Sequence, residues 1–383
     1  MKTNLLNPHV RTAAGISLLA FTATLLPEAR AHRIPDEPPV VQIALLLDTS
    51  NSMDGLIKQA KTQLWRVVNQ FGNTKCRGNH QPAVEVALFE YGNDSLSEGS
   101  RWIRCVVPFS RDLDRISEDL FSLSTNGGSE YCGAVIRRAV EALDWSHNPD
   151  SYKAIFIAGN EHFTQGPVNF RSTCRSAAHA GITVNTIHCG SERDGIAGCW
   201  REGARLGGGD FMTINQDSEV THIHAPQDER IAQLNEKLND TYIVYGGSAG
   251  QRRKTNQVTQ DDNASEVGSL VSRVVSKATT NYTNHSWDLV DASKQEGFDI
   301  AALPAASLPE EMQKLTSAQR AEHVEQLAAE RKTIQKEILE LNREREAFVS
   351  EQLKQQGETE TVGAAMVRAI RSQAAKKGLI LEK

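Results

Sequence analysis

Val40-Val41-Gln42-Ile43-Ala44-Leu45-Leu46-Leu47-Asp48-Thr49-Ser50-Asn51-Ser52-Met53 is the stretch on which the fold is decided. Its first eight residues are apolar almost without interruption, which suits a strand buried on both faces of a parallel sheet. Helical spacing follows directly, with Leu56, Ala60, Leu64, Val67, Val68 and Phe71 on one face. The alternation recurs: strand-like runs at Val84 to Tyr91, Ile103 to Val107, Lys153 to Ala158, Thr183 to His188 and Phe211 to Ile214 are separated by helical or turn segments. Such a pattern predicts an α/β fold over residues 40–245, a doubly wound and mostly parallel central sheet flanked by helices. A helix from Ile231 to about Leu238 closes it.

From Gly246 to Glu266 the composition shifts to Gly, Ser, Gln, Asn and Asp, so residues 246–266 are expected to be a polar linker. The short basic cluster Arg252, Arg253 and Lys254 falls inside it and is expected in a solvated loop. Residues 267–383 are expected to form a helical extension: a helix over Val267 to Thr279, a long helix over about 316–356 that opens on a capping box of Thr316 and Gln319, and a last helix from Val362 to Lys376 that stops at Gly378. The long helix has one apolar heptad row, Leu327, Ile334, Leu341 and Phe348. The other row, Val324, Arg331, Ile338 and Arg345, is half apolar. Docking against the protein's own helices is favoured over a two-stranded coiled coil, which would give self-association through this helix.

Lys2 and Arg11, the apolar run from Ala13 to Leu26 and then Ala29-Arg30-Ala31 have the order of a secretory signal, expected over 1–31 with cleavage after Ala31. The run falls short of the about 20 apolar residues that cross a bilayer, and no later segment is apolar enough to span. An exported chain, periplasmic or extracellular, follows. In such a compartment the six cysteines are expected to oxidise, with Cys189 to Cys199 the favoured pair and Cys76 to Cys105 the second. A net charge of −6 gives no cationic field for phosphate backbones, so nucleic acid is not an expected partner.

Asp48, Ser50 and Ser52 form a DxSxS string at the carboxyl end of the first strand, the end of an open α/β sheet at which ligands bind. Alone it often marks a helix cap. One carboxylate and two hydroxyls on a tight turn also supply part of the oxygen shell of a hard cation. The string after an apolar first strand resembles the first element of the metal-ion-dependent adhesion site of the von Willebrand factor A family. Gly127-Gly128-Ser129, followed by Glu130-Tyr131-Cys132-Gly133 and Ala134-Val135, resembles the second, with Ser129 in the place of the family's Thr. The third element departs from the family's Ile-Thr-Asp-Gly. Here the fourth strand ends Ile157-Ala158-Gly159-Asn160-Glu161, with Gly159 at the Asp position.

The resemblance implies a divalent cation, Mg²⁺ or else Mn²⁺ or Ca²⁺, held by Asp48, Ser50, Ser52 and Ser129. Glu130, Asn160 or Glu161 would compensate for the missing carboxylate; without compensation the site is a relic. The implied function is a binding or adhesion-type module, not an enzyme, that recognises a protein partner offering a carboxylate. A scaffold assembling through the C-terminal helices is the alternative. A metal-assisted hydrolase using Glu161 and His162 is disfavoured, since Glu161-His162-Phe163-Thr164 lacks the second histidine of a helical zinc-protease motif.

Overall fold

The computed structural model describes residues 38–72, 74–75, 81–215, 217, 223–356 and 361–380. The expected signal over 1–31 and Cys76, with its expected bond to Cys105, lie outside the described residues. Strand β1 (Val40–Asp48) pairs in parallel with β2 (Ala83–Tyr91) on one side and β4 (Tyr152–Gly159) on the other. Strand β3 (Ile103–Ser110) runs antiparallel along β2, while β5 (Thr183–Cys189) and β6 (Gly208–Ile214) continue in parallel beyond β4. The sheet order is β3-β2-β1-β4-β5-β6. The chain therefore leaves β1 toward β2 and β3, then crosses back to β4, which opens a crevice at the carboxyl ends of β1 and β4.

Among the described residues the α-helices of this half are, in chain order, α1 (Asp54–Asn69), α2 (Leu113–Phe121), α3 (Cys132–Ala142), α4 (Phe170–His179), α5 (Glu192–Ala197), α6 (Trp200–Leu206) and α7 (Asp228–Asp240). Alternation along β1 separates two cores. Val41, Ile43, Leu45 and Leu47 face a cluster built with Leu56, Leu64, Ile116, Leu120, Ile231 and Leu238. Ala44 and Leu46 face the opposite cluster, with Val135, Ile136, Phe170, Ala177 and Trp200. A period of two on a strand and a helix on either face is what makes a run of consecutive apolar residues necessary here.

The tail comprises α8 (Gly247–Glu266), α9 (Leu270–Lys277), α10 (Leu289–Ala292), α11 (Glu310–Gln313), α12 (Ser317–Gln356) and α13 (Val362–Lys376). The expected linker over 246–266 is thus corrected to a 20-residue helix. Most of the side chains it buries are polar: beside Ala264, Gln257, Gln260 and Asp261 are all under a tenth exposed. Asp261 accepts from Arg273 Nε at 2.5 Å, Lys277 Nζ at 2.9 Å, Asn239 Nδ2 at 2.9 Å and Asn235 Nδ2 at 3.0 Å. Arg273, itself fully buried, reaches on to Asp114 Oδ1 at 2.8 Å and the Gln257 carbonyl at 2.8 Å. The basic cluster is corrected with it. Arg253 pairs with Asp112 at 2.8 Å, and Lys254 donates to the Asn239 carbonyl at 2.9 Å, so neither lies in a loop.

Helix α12 opens on the reciprocal bonds of a capping box, Gln319 N to Thr316 Oγ1 at 3.3 Å and Thr316 N to Gln319 Oε1 at 2.9 Å. It docks on α7 and α10 through the row that is only half apolar. Val324, Arg331, Ile338 and Arg345 are 4%, 2%, 0% and 9% exposed, whereas Leu327, Leu341 and Phe348 of the all-apolar row stay half-buried. Arg331 donates to Asp288 Oδ2 at 2.6 Å, Asp291 Oδ1 at 3.1 Å and the Thr241 carbonyl at 2.6 Å. Arg345 meets Asp228 at 2.6 Å. The two arginines in the seam are anchored to carboxylates of the same chain, the buried Asp288 and the half-buried Asp228, so this row docks in cis, the arrangement favoured over a coiled coil.

The expected bond between Cys189 and Cys199 is absent; both thiols are free, as are those of Cys105, Cys132 and Cys174. The sheet lies between the two residues. Cys189, at the end of β5, belongs to the core that includes α1 and α7, and Cys199 packs against the core on the other face. Among the described residues no helix is long and apolar enough to cross a membrane.

Candidate metal and ligand site

Asp48 ends β1 at the crevice and is fully buried. Its Oδ1 accepts from Ser50 N at 2.8 Å, which folds the turn back on the carboxylate, while Oδ2 is buried with no hydrogen-bond partner. Ser50, 3% exposed, brings its hydroxyl to within 3.5 Å of the Ser52 hydroxyl. Ser52 is exposed and also accepts from Asn160 Nδ2 at 3.0 Å. Asn160 thereby ties the end of β4 to the first turn, with its own Oδ1 buried and unpartnered.

The loop before α3 is fastened over this turn by backbone bonds. Asn126 N donates to the Thr49 carbonyl at 2.9 Å, Thr49 N donates to the Tyr91 carbonyl at 2.9 Å, and Asp94 N donates to the Gly127 carbonyl. Glu130 N is held by Gln165 Oε1 at 2.5 Å. Glu130 is 6% exposed, and its Oε2 is buried without a partner. Its side chain shares the space over Gly92 with Asp48. A Cβ added there would lie 2.6 Å from Glu130 Cγ and 2.9 Å from Asp48 Oδ1, and Gly92 has the positive φ of +80° that a glycine adopts most readily. Ser129 is half-exposed and makes no hydrogen bond among the described residues. The structure brings Asp48, Ser50, Ser52, Asn160 and Glu130 together.

Glu161 is exposed; its carbonyl accepts from the Trp200 indole at 2.8 Å, which fixes the loop. Gly159 faces a residue that sequence reasoning passed over. Tyr91, buried at the end of β2, donates from Oη to the Ala158 carbonyl at 3.0 Å, and a Cβ at 159 would sit 2.5 Å from that Oη and 2.9 Å from Asp48 Oδ2. A tyrosine ending an apolar strand carries no signal that separates it from core.

The electrostatics follow from burial. Loss of water pushes the Asp48 carboxyl up to about 7, against hydrogen bonds from Ser50 and with added repulsion from Glu161. Burial, then the Asp48 charge, pushes Glu130 up to about 8, opposed by the Ser50 hydroxyl. Among the described residues no lysine or arginine forms an ion pair with either, whereas Glu90, next to Tyr91 in β2, has Arg104 at 2.5 Å. Among the described residues no three His, Cys, Asp or Glu converge as a metal cluster. The set here draws on hydroxyl and amide oxygens as well as carboxylates, which is the donor chemistry of a hard divalent cation rather than of zinc held by nitrogen and sulfur.

Residues 42–195 match the family model described as von Willebrand factor type A domain. Solved structures with a similar chain path include the BatB protein from Bacteroides thetaiotaomicron, 18% identical, covering 45% of this chain and 90% of that one at a TM-score of 0.34. Another is proximal thread matrix protein 1 from the mussel byssus with a zinc-occupied MIDAS motif, 12% identical over 47% of this chain and 43% of that one, TM-score 0.36. A third is the pilus adhesin SpaC from Lactobacillus rhamnosus GG, 14% identical over 47% and 28%, TM-score 0.35. A comparison with curated proteins found no match. The chain carries a von Willebrand factor type A domain over residues 42–195.

Proposed function

We propose that this protein is an exported binding module, periplasmic or extracellular, in which a divalent cation held at Asp48, Ser50 and Ser52, with a further ligand from the 129–130 loop, recognises a carboxylate on a protein partner. One observation carries the reading: a fully buried Asp48 with an unpartnered Oδ2 stands beside two hydroxyls at the crevice of the sheet. A buried carboxylate without a counter-charge is costly, and a hard cation both supplies the charge and takes the oxygens offered. When bound, such a cation acts as a Lewis acid toward an incoming oxygen ligand. The chain's own residues do the rest. Ser50 N orients the Asp48 carboxylate, Asn160 orients Ser52, and the exposed Ser52 leaves the outer side of the site open to a partner.

Mg²⁺ is the expected cation, with Mn²⁺ and Ca²⁺ as substitutes. Thermal melts of the mature chain should rise with Mg²⁺ or Mn²⁺, by about 2.7 kcal/mol of stabilisation at a hundredfold excess over Kd. Asp48→Ala should abolish the rise. Equal melts with and without cation in the wild-type chain would end the reading. The scaffold alternative gains nothing from α12, whose buried row is already engaged in cis.

A further inference from the structure

We propose that the ligand supplied by the loop before α3 is the Glu130 carboxylate rather than the Ser129 hydroxyl, and that Glu130 stands in for the acidic side chain that the end of β4 has no room to hold. The inference rests on the cation reading above and identifies the second carboxylate of that site.

Space decides which residue can serve. At position 159 any side chain meets Tyr91 Oη and Asp48 Oδ2 before it has extended past Cβ. Relief would require moving a fully buried tyrosine away from its bond to the Ala158 carbonyl. No carboxylate can therefore enter from that strand end. Asn160 has turned its amide nitrogen to Ser52, so it offers one neutral oxygen, Oδ1. Glu161 is exposed to water. Glu130 alone combines a charge with burial, and it does so from the opposite wall: its side chain and Asp48 Oδ1 line the same gap over Gly92.

Among the described residues, no basic side chain pairs with either carboxylate. Two carboxylates, 0% and 6% exposed, each keep an oxygen that is shut off from water and bonded to nothing. Elsewhere in the chain buried acids are matched: Asp114, Asp261, Asp288 and Asp291 each meet an arginine or lysine. An unmatched pair of this kind either takes up a proton or holds a cation between its oxygens, and a cation that binds there displaces the proton. Asp48 and Glu130 together carry the two negative charges that a divalent ion needs, so moving the second acid from β4 to the α3 loop restores the charge balance that Gly159 removes.

Titrating Mn²⁺ into the full-length mature protein by calorimetry, with a melt of each cation-free variant, tests the proposal. Glu130→Gln is expected to weaken Mn²⁺ by about tenfold or more and to melt no lower than wild type without cation, since it removes an unpaired buried charge. Glu130→Asp should fall between the two in affinity. Ser129→Ala should stay within about threefold of wild type, as a residue outside the coordination shell. Wild-type affinity in Glu130→Gln would overturn the proposal while leaving the cation site standing, provided Asp48→Ala still loses binding. A cation-free Glu130→Gln melting well below wild type would also overturn it, by showing a structural role. No Mn²⁺ binding in the wild-type chain would remove both this inference and the function on which it rests.

Discussion

Two groups of buried charges lie in this chain, and they differ in how they are satisfied. At the junction of the sheet domain and the tail, Asp114, Asp261, Arg273 and Lys277 form a closed set in which each carboxylate has a cation and each cation several acceptors. At the crevice, Asp48 and Glu130 are buried together with oxygens left over. The same physics of desolvation acts on both. Where the protein supplies the countercharge the cluster is structural; where it withholds it, the proposed function assigns that charge to a cation.

The contrast can be broken most sharply at Arg273. Replacing it with Ala leaves Asp114 and Asp261 facing each other with one cation fewer, and urea denaturation should show a loss of about 3–5 kcal/mol. A loss under 1 kcal/mol would mean that the junction tolerates unmatched charge as the crevice does, and the distinction would fall.

Acid provides a reversible version of the same test. Burial by itself would raise the Asp261 carboxyl, but Lys277 and Arg273, helped by the Asn239 and Asn235 amides, outweigh it and hold the group well below the usual carboxylate range. A depressed folded-state value means that the unfolded chain binds the proton first. The contribution is therefore complete above the unfolded value of 3.8 and is lost as pH falls below it. Hydrogen-exchange protection factors, normalised to the intrinsic rate at each pH, should fall in α8 and α9 on acidification through this range, while α3 and α4 keep their protection longer. Uniform exchange across all four helices would show that the junction has no separate acid response.

The smallest effect has the opposite sign. Asp48→Asn, in the absence of cation at pH 8, should raise stability by about 1–2 kcal/mol, because it removes a charge with no partner and retains the oxygen that accepts from Ser50 N. A destabilised Asp48→Asn would mean that the carboxylate is already satisfied in the empty site.

Much of the fold and the first half of the site were legible in the residue order. The unbroken apolar run of β1, the helical spacing behind it and the placing of Asp48, Ser50 and Ser52 at the turn between them depend on neighbours within a few positions, and local periodicity expresses them directly. The capping box of Thr316 and Gln319 is equally local. Helix α8 was hidden for the converse reason. Its buried residues include Gln257, Gln260 and Asp261, and what makes their burial tolerable is Ser117, Asp114, Asn235 and Arg273, brought in from other elements. Arg331 and Arg345 looked like faults in an apolar row until Asp288, Asp291 and Asp228 were placed opposite them.

What the sequence determined by itself was the alternation of strands and helices and the oxygen-bearing turn at the end of β1. Only the tertiary structure decided what surrounds that turn: Tyr91 closing the space at Gly159, Gly92 opening room for Glu130, and no basic side chain among the described residues pairing with Asp48 or Glu130. Hydrophobic periodicity is a property of a segment, whereas the satisfaction of a buried charge is a property of everything packed around it.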